Sequence, residues 1–324
     1  MQMLSHEERI NDYESALERL KEQHAHGGIW SDEEIVKLEK KLEELKSKVY
    51  SELTPWQRVE ISRHPKRPRS IDYIEHMFDD FEEMCGDRLF QDDQAIIGGL
   101  GRIGDQKYVV IAQEKGNDTE SRLKRNFGMP HPEGYRKALR LMKLAEKFSL
   151  PLITLLDTPG AYPGLDAEER GQGWAIATNL LEMARLKTPF IALLIGEGCS
   201  GGALAMGMGD IIGMLEHAYY SVISPEGCAT ILWKDATMRE AAAEKLKMHA
   251  EDLIKLGIID HIIDEPLGGA HHNHELTYER VKDFILTATK QLASTPPEDL
   301  LETRYQKYRK FGVLQQEEPE ETEA

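Results

Sequence analysis

The stretch Pro189-Phe-Ile-Ala-Leu-Leu-Ile-Gly-Glu-Gly-Cys-Ser-Gly-Gly-Ala-Leu-Ala-Met-Gly207 limits what this chain can fold into more than any other segment. Phe190 to Ile195 is a short run of bulky apolar residues ending in glycine, which suits a strand buried on both faces. Gly196 to Gly202 holds too many glycines for regular structure, and Ala203 to Met206 resumes with good helix formers. Strand, tight turn and helix start thus follow one another. This order aims unsatisfied backbone N–H groups, and the positive end of a helix dipole, at whatever occupies the turn. Glycine puts no side chain in the way. The segment reads as an anion or oxyanion cradle.

Several motif readings fit that turn. Gly196-x-Gly198-x-x-Gly201 matches the dinucleotide fingerprint, and Glu216 lies downstream at about the distance that motif asks. That acidic residue should close the second strand, whereas Glu216 precedes the apolar run Tyr219 to Ile223. Gly198-Cys-Ser200-Gly-Gly202 contains G-x-S-x-G, the nucleophile elbow of serine hydrolases. Its base would have to come from Asp260-His261 or from His271, His272 and His274, which supply no clear separate acid in the expected order. In a third reading Ser200 is merely small, and the N–H groups that follow it do the chemistry. A plain glycine turn that lets a helix pack close to a sheet is the fourth.

A second segment bears on the choice. Pro151 to Leu156 is another buried strand, followed by Asp157-Thr-Pro-Gly-Ala-Tyr-Pro-Gly164. Prolines and glycines fix an irregular loop at the carboxyl end of that strand, where open α/β sheets hold their ligands. Two such loops, each offering backbone donors, can converge on one oxygen atom.

The Asp157–Gly164 loop, Glu169-Arg-Gly-Gln-Gly-Trp-Ala175 and Gly196-Glu-Gly-Cys-Ser-Gly-Gly-Ala203 together closely resemble the alpha-subunit family of bacterial acetyl-CoA carboxylase carboxyltransferases. The likeness extends over nearly the whole chain, through Arg67-Pro-Arg-Ser70, Phe81 to Leu89, Asn126 to Gly134 and Ser224-Pro-Glu-Gly227. The resemblance implies an α/β crotonase-like fold of repeated ββα units. It also implies transfer of the carboxyl group of carboxybiotin, carried on a separate biotin carboxyl carrier protein, to acetyl-CoA. The product would be malonyl-CoA, the first committed step of fatty acid synthesis. In such a reaction the freed biotin nitrogen can take the methyl proton, so this chain need not offer a conventional base. The backbone N–H groups of Gly201, Gly202, Ala203, Gly160 and Ala161 are the expected catalytic donors, with Tyr162, Pro163, Gly164, Gly198 and Ser200 against the substrate. The family's second oxyanion hole and its zinc ribbon belong to a beta subunit, so an α2β2 assembly working with biotin carboxylase is implied, and no metal is expected here. The alternatives are another acyl-CoA carboxyltransferase, a hydratase or isomerase of the same fold, a serine hydrolase using Ser200, or a scaffold that only docks catalytic partners.

The remaining sequence agrees with a soluble enzyme. A net charge of −17 over 324 residues argues against general nucleic-acid affinity, and the basic run Arg63 to Arg69 reads as solvated linker. No apolar segment reaches the ~20 residues a membrane helix needs, no signal peptide opens at Met1, and Cys85, Cys199 and Cys228 form no spaced metal pair; a cytoplasmic location is expected.

Four parts are expected: a helical hairpin over 1–53 broken at Gly27-Gly28, a linker over 54–70, the carboxyltransferase domain over 71–296, and a charged tail over 297–324. Ser31 and Glu34 form a capping box at the start of the second hairpin helix. The hairpin's apolar stripe must be buried, against the core or against another subunit. Further helices are expected over 71–84, 133–148 and 168–186, and a β-hairpin turning at Gly104-Asp105. The polar loop from Glu114 to Pro132, with Lys115, Arg122, Lys124 and Arg125, would face a carrier protein or a CoA phosphate, or simply solvent. The loop Gly268 to His274 has three histidines but reads as solvated rather than as a metal site.

Overall fold

The aliphatic runs read above form the centre of one eight-stranded mixed sheet. The structure, a computed structural model, describes residues 4–25 and 31–312. The strands are β1 (Asp80–Glu83), β2 (Ile96–Ile103), β3 (Gln106–Gln113), β4 (Leu152–Thr158), β5 (Phe190–Cys199), β6 (Ile211–Leu215), β7 (Tyr219–Ser221) and β8 (His261–Ile263). Their order is β1-β2-β3-β4-β5-β6-β8, with β7 paired to β5 off that path. β1, β2 and β3 are antiparallel, and β2 turns into β3 at Gly104-Asp105 as expected. From β3 to β8 the pairing is parallel, so helices must carry the chain back between strands: Pro132–Lys147 before β4 and Gln172–Arg185 before β5. Every residue of β4, β5 and β6 is buried, which is why their sequences run apolar without alternation.

β5 serves two layers. Phe190 to Leu194 pair with β4, and Ile191 to Leu194 with β6, whereas Glu197 to Cys199 pair with β7. Two glycines permit this. A Cβ at Gly196 would sit 2.4 Å from Asp157 Oδ1, and one at Gly198 would sit 2.3 Å from Leu194 Cδ2.

The hairpin helices are Glu8–Ala25 and Asp32–Ser51, the second opened by the Ser31–Glu34 capping box. They run antiparallel, as the ion pairs Glu14–Lys46 and Lys21–Glu39 show. Gly27-Gly28 lies outside the described residues, as does the acidic stretch from Gln315.

Four expectations change. Residues 54–70 are not a loose linker: Thr54 caps a helix, Pro55–Ser62, whose Trp56, Val59 and Ile61 are buried. Pro55 sits at the first helical position, where its missing N–H costs nothing. Residues 71–84 divide into a helix, Ser70–Met77, and strand β1. The helix expected over 168–186 breaks at Gly171, whose φ of 83° only glycine adopts readily. The segment after Pro296 forms a helix, Pro297–Arg309, tied down by Arg304. The Arg304 guanidinium is buried against Asp210 and the carbonyls of Met183 and Leu186.

The basic run is likewise no solvated stretch. Arg67 and Glu265 form a two-point ion pair, 2.7 and 2.6 Å, with both side chains at 0% exposure. Arg67 also donates to the Ile195 carbonyl of β5, and Glu265 accepts the N–H groups of His217 and Ala270. Removing Arg67 leaves a buried carboxylate without its cation, so Arg67→Met should cost about 3–5 kcal/mol in urea unfolding. Burial alone would raise the Glu265 carboxyl, but Arg67 outweighs it and holds it at about 2. Its unfolded value is about 4.3, so the stabilisation is complete above that pH and is lost as the pH falls towards about 2. Glu265→Gln should therefore flatten that part of the acid-denaturation curve; an unaltered curve would contradict the assignment.

Candidate active site

The loops that leave β4 and β5 touch through their backbones. A Cβ at Gly202 would lie 2.5 Å from Gly160 C and 2.6 Å from Ala161 N, so no other residue fits there without moving the facing loop. Gln113, at the end of β3, holds the Gly202 carbonyl through Nε2 at 2.7 Å. Thr158 shapes the opposite loop: its Oγ1 lies 2.6 and 2.8 Å from the Gly128 and Gly160 carbonyl oxygens and accepts the Gly160 N–H at 3.0 Å. Gly160 has a φ of 143°, a backbone state in which a side chain is strained.

The expected donors therefore divide. Gly160 N–H is already spent on Thr158, which removes it from the set. Ala161 N–H has no partner among the described residues, and Tyr162 N–H is bound to the Pro130 carbonyl. Ser200 opens a five-residue helix, Ser200–Leu204, directly after β5. In a helix the first bond available within the ladder belongs to Ala203, four residues after Cys199, which leaves Gly201 and Gly202 N–H free. Ala203 thus drops from the donor list on geometric grounds. So short a helix carries little dipole; the individual N–H groups matter.

The residues expected against the substrate have these local surroundings. Tyr162 stacks on His131 at 4.1 Å, Pro163 follows it, and a Cβ on Gly164 would strike the Tyr162 ring at 2.3 Å. Gly198 lies within β5 opposite Thr158 and Tyr220. Ser200 holds a φ of 55°, a left-handed strain of about 1–2 kcal/mol that turns the chain sharply out of the strand. With Gly201 it borders an apolar cavity of about 570 Å³, walled also by Leu204, Met208, Tyr220, Val222 and Tyr308.

That cavity answers the hydrolase reading. Among the described residues that line it, the titratable groups are Tyr220 and Tyr308, both pushed up by burial, Tyr220 to about 12. Neither can take a proton from Ser200 near neutral pH. The Asp260 carboxylate is bound to Ile212 N–H and Lys307, and His271 and His272 face Glu7. The dinucleotide reading fails for a reason the sequence did not supply. Glu216 does close a strand, β6, but its carboxylate accepts the Glu265 N–H instead of facing the glycine turn.

A charged lattice holds the strand ends together. Lys115, just past β3, binds Asp157 Oδ1 at 2.6 Å and Glu197 in a short contact. Asp157 also accepts the Glu197 N–H at 2.9 Å and meets Arg69 at 3.2 Å. Arg63 joins Glu197 and Glu226, each at 2.6 Å, and Tyr219 donates to Glu197 at 2.7 Å. Burial would push the Glu197 carboxyl up, but Lys115 and Arg63 outweigh it and keep it well below the usual range. Sequence reading named Lys115 and the arginines as basic groups, yet missed their partners, because no local pattern joins residues so far apart in the chain.

A model of the acetyl co-enzyme A carboxylase carboxyltransferase-like family matches residues 3–312. The chain belongs to that family. Among its relatives, the acetyl-coenzyme A carboxylase carboxyl transferase subunit alpha of Protochlamydia amoebophila is 62% identical over 312 residues, covering 96% of this chain and 98% of the relative. Its counterpart in Chlamydia trachomatis serovar D is 56% identical over 324 residues, the full length of both.

Among solved structures, transcarboxylase 12S with methylmalonyl-coenzyme A bound matches with a TM-score of 0.55 at 19% identity, over 69% of this chain and 41% of that one. The beta subunit of P. aeruginosa geranyl-CoA carboxylase matches at 0.55 and 18%, over 76% of this chain and 46% of that one. These likenesses bear out the crotonase-like carboxyltransferase fold. No helix among the described residues of this family member is long and apolar enough to cross a membrane.

Lys115 offers a test of the lattice. Lys115→Met would leave Asp157 and Glu197 facing each other, a loss of about 3–5 kcal/mol at neutral pH. Like charges raise a carboxyl pKa, so this deficit exists above the raised value and shrinks as the pH falls to about 5. Urea unfolding of wild type and variant at both pH values checks it; a deficit independent of pH would contradict the arrangement.

Proposed function

We propose that this chain is the alpha subunit of an acetyl-CoA carboxylase carboxyltransferase, and that it supplies the cradle for the biotin side of the transfer. The observation that carries the reading is the backbone contact between Gly202 and Gly160–Ala161, which sets the unengaged Ala161 N–H beside the free N–H groups of Gly201 and Gly202. Carboxybiotin is a substrate delivered on a separate carrier protein, and loss of its carboxyl group throws negative charge onto the ureido ring oxygen. Donors fixed where charge develops stabilise the transition state most, each by about 3 kcal/mol. The chain's part is geometric: Thr158 and Gln113 hold the two loops, and the glycines keep side chains out. The apolar cavity beside Ser200 suits the non-polar face of such a ring.

Nothing in this cradle offers a proton acceptor, so the acetyl methyl proton goes to the freed biotin nitrogen. The thioester side is left to a second chain, a beta subunit that would carry its own oxyanion hole and zinc ribbon in an α2β2 assembly. Large apolar side chains lie exposed around the site loops, among them Leu165, Trp174 at 80%, Val222 at 77% and Ile231. Such residues beside a site mark a surface that a partner covers. With biotin carboxylase feeding the carrier, the assembly would make malonyl-CoA in the cytoplasm for fatty acid synthesis.

Gly202→Val would drive backbone atoms apart, so Gly202→Ala is the milder probe: kcat/KM for carboxyl transfer by the reconstituted subunits should fall about 10²- to 10³-fold. Ser200→Ala removes only a hydroxyl and should leave kcat/KM within about threefold, whereas a serine nucleophile would lose several powers of ten. Retained transfer in Gly202→Ala, with thermal unfolding confirming a folded variant, would remove the cradle from the mechanism.

A further inference from the structure

The loop 268–274 is buried at 268–270 and exposed at 272–274, and beside the hairpin it builds a cluster that carboxyl transfer does not use. Glu7 Oε1 lies 3.4 Å from His272 Nε2 and 3.8 Å from His271 Nε2. One donor atom from each of the three residues lies within 4.8 Å of the others. Glycines at 268 and 269, with φ of 94° and 112°, bend the loop so that its histidines return towards the first turn of the chain. Tyr50, from the end of the hairpin's second helix, donates to the same Glu7 oxygen at 2.9 Å and fixes it.

An ordinary ion pair does not account for this arrangement. The His271 side chain is only 4% exposed, yet neither of its ring nitrogens has a hydrogen-bond partner among the described residues. His64 stacks on that ring at 3.8 Å and keeps it in place. Burial pushes His271 down, which favours the neutral ring with a lone pair to give. Burial would raise the Glu7 carboxyl, but His271, His272 and Tyr50 prevail and hold it well below the usual range. Two imidazoles and one carboxylate are a donor set for a divalent transition metal. Ligands 2.0–2.2 Å from a tetrahedral ion stand roughly 3.3–3.6 Å apart, close to the 3.4 and 3.8 Å that separate Glu7 Oε1 from the two histidine nitrogens.

We propose that Glu7, His271 and His272 bind one divalent transition-metal ion, with zinc as the type case, that clamps the N-terminal hairpin to the body of the chain. Water completes the tetrahedron. The residues joined are more than 260 positions apart in the chain, so the ion acts as a cross-link between the two ends. This proposal is independent of the cradle.

The test uses the full-length chain without its partner subunit, treated with chelator and titrated with zinc by calorimetry. One equivalent should bind, thermal unfolding should shift upward with zinc, and cobalt in its place should show the intense visible bands of a tetrahedral imidazole site. Glu7→Gln, which keeps a side-chain acceptor for Tyr50, and His272→Ala, whose side chain is 42% exposed, should each weaken binding at least about tenfold. His274→Ala, whose ring instead faces the Lys66 carbonyl, should bind like wild type. Absence of stoichiometric zinc binding, or equal affinity in Glu7→Gln and His272→Ala, would overturn the proposal.

Discussion

Lys115 sits between two carboxylates at the ends of neighbouring parallel strands, and the geometry of the site follows from that contact. Asp157 and Glu197 lie within the last three residues of β4 and β5, just before the strands give way to their loops. Without a cation between them, two ionised groups this close would repel and one would protonate. With Lys115 and Arg63 in place the Glu197 carboxyl is held well below the usual carboxylate range, and Asp157 also takes the Glu197 N–H. The lattice thereby fixes how far apart the strand ends stand, and so how closely the two loops can approach. Its cost in desolvation is large, and hydrogen bonds to nearly every member offset it.

The loops above this lattice do their work through backbone atoms. Gly202 is glycine because Gly160 and Ala161 occupy the space of its Cβ; Gly196 is glycine because Asp157 occupies the space of its own. Two glycines in one short motif thus serve different purposes, one admitting the facing loop and the other admitting the charged lattice. Ser200 shows the same economy: its left-handed backbone turns the chain from strand to helix, and its hydroxyl finds no base in the cavity it borders. A G-x-S-x-G pattern here marks a sharp bend, and in the proposed mechanism the chemistry belongs to the amides beyond it.

The sheet was legible because buried parallel strands must be apolar throughout: β4 and β5 announce themselves in Leu152 to Leu156 and Phe190 to Ile195. The strand-to-helix glycine turn was legible because it is built from residues adjacent in the sequence. What escaped was whatever depends on distant partners. Arg67 reads as a surface cation until Glu265, far along the chain, is placed against it. Pro55 and Pro65 suggested a linker, although Thr54 and Gln57 spell a capping box between them. Gly160 was counted among the donors because Thr158, two residues before it, was not recognised as its acceptor. The histidines at 271 and 272 looked solvated because Glu7 lies at the other end of the sequence.

The central claim is that Ala161 N–H, with Gly201 or Gly202 N–H, holds the ureido oxygen of biotin. The most direct measurement is a crystal structure of this chain with its partner subunit and a biotinylated carrier domain. The account predicts the ureido oxygen about 2.7–3.1 Å from Ala161 N and from one of the two glycine nitrogens, with no side chain between. A ring oxygen bound elsewhere, or amides of the two loops turned away from it, would contradict the account.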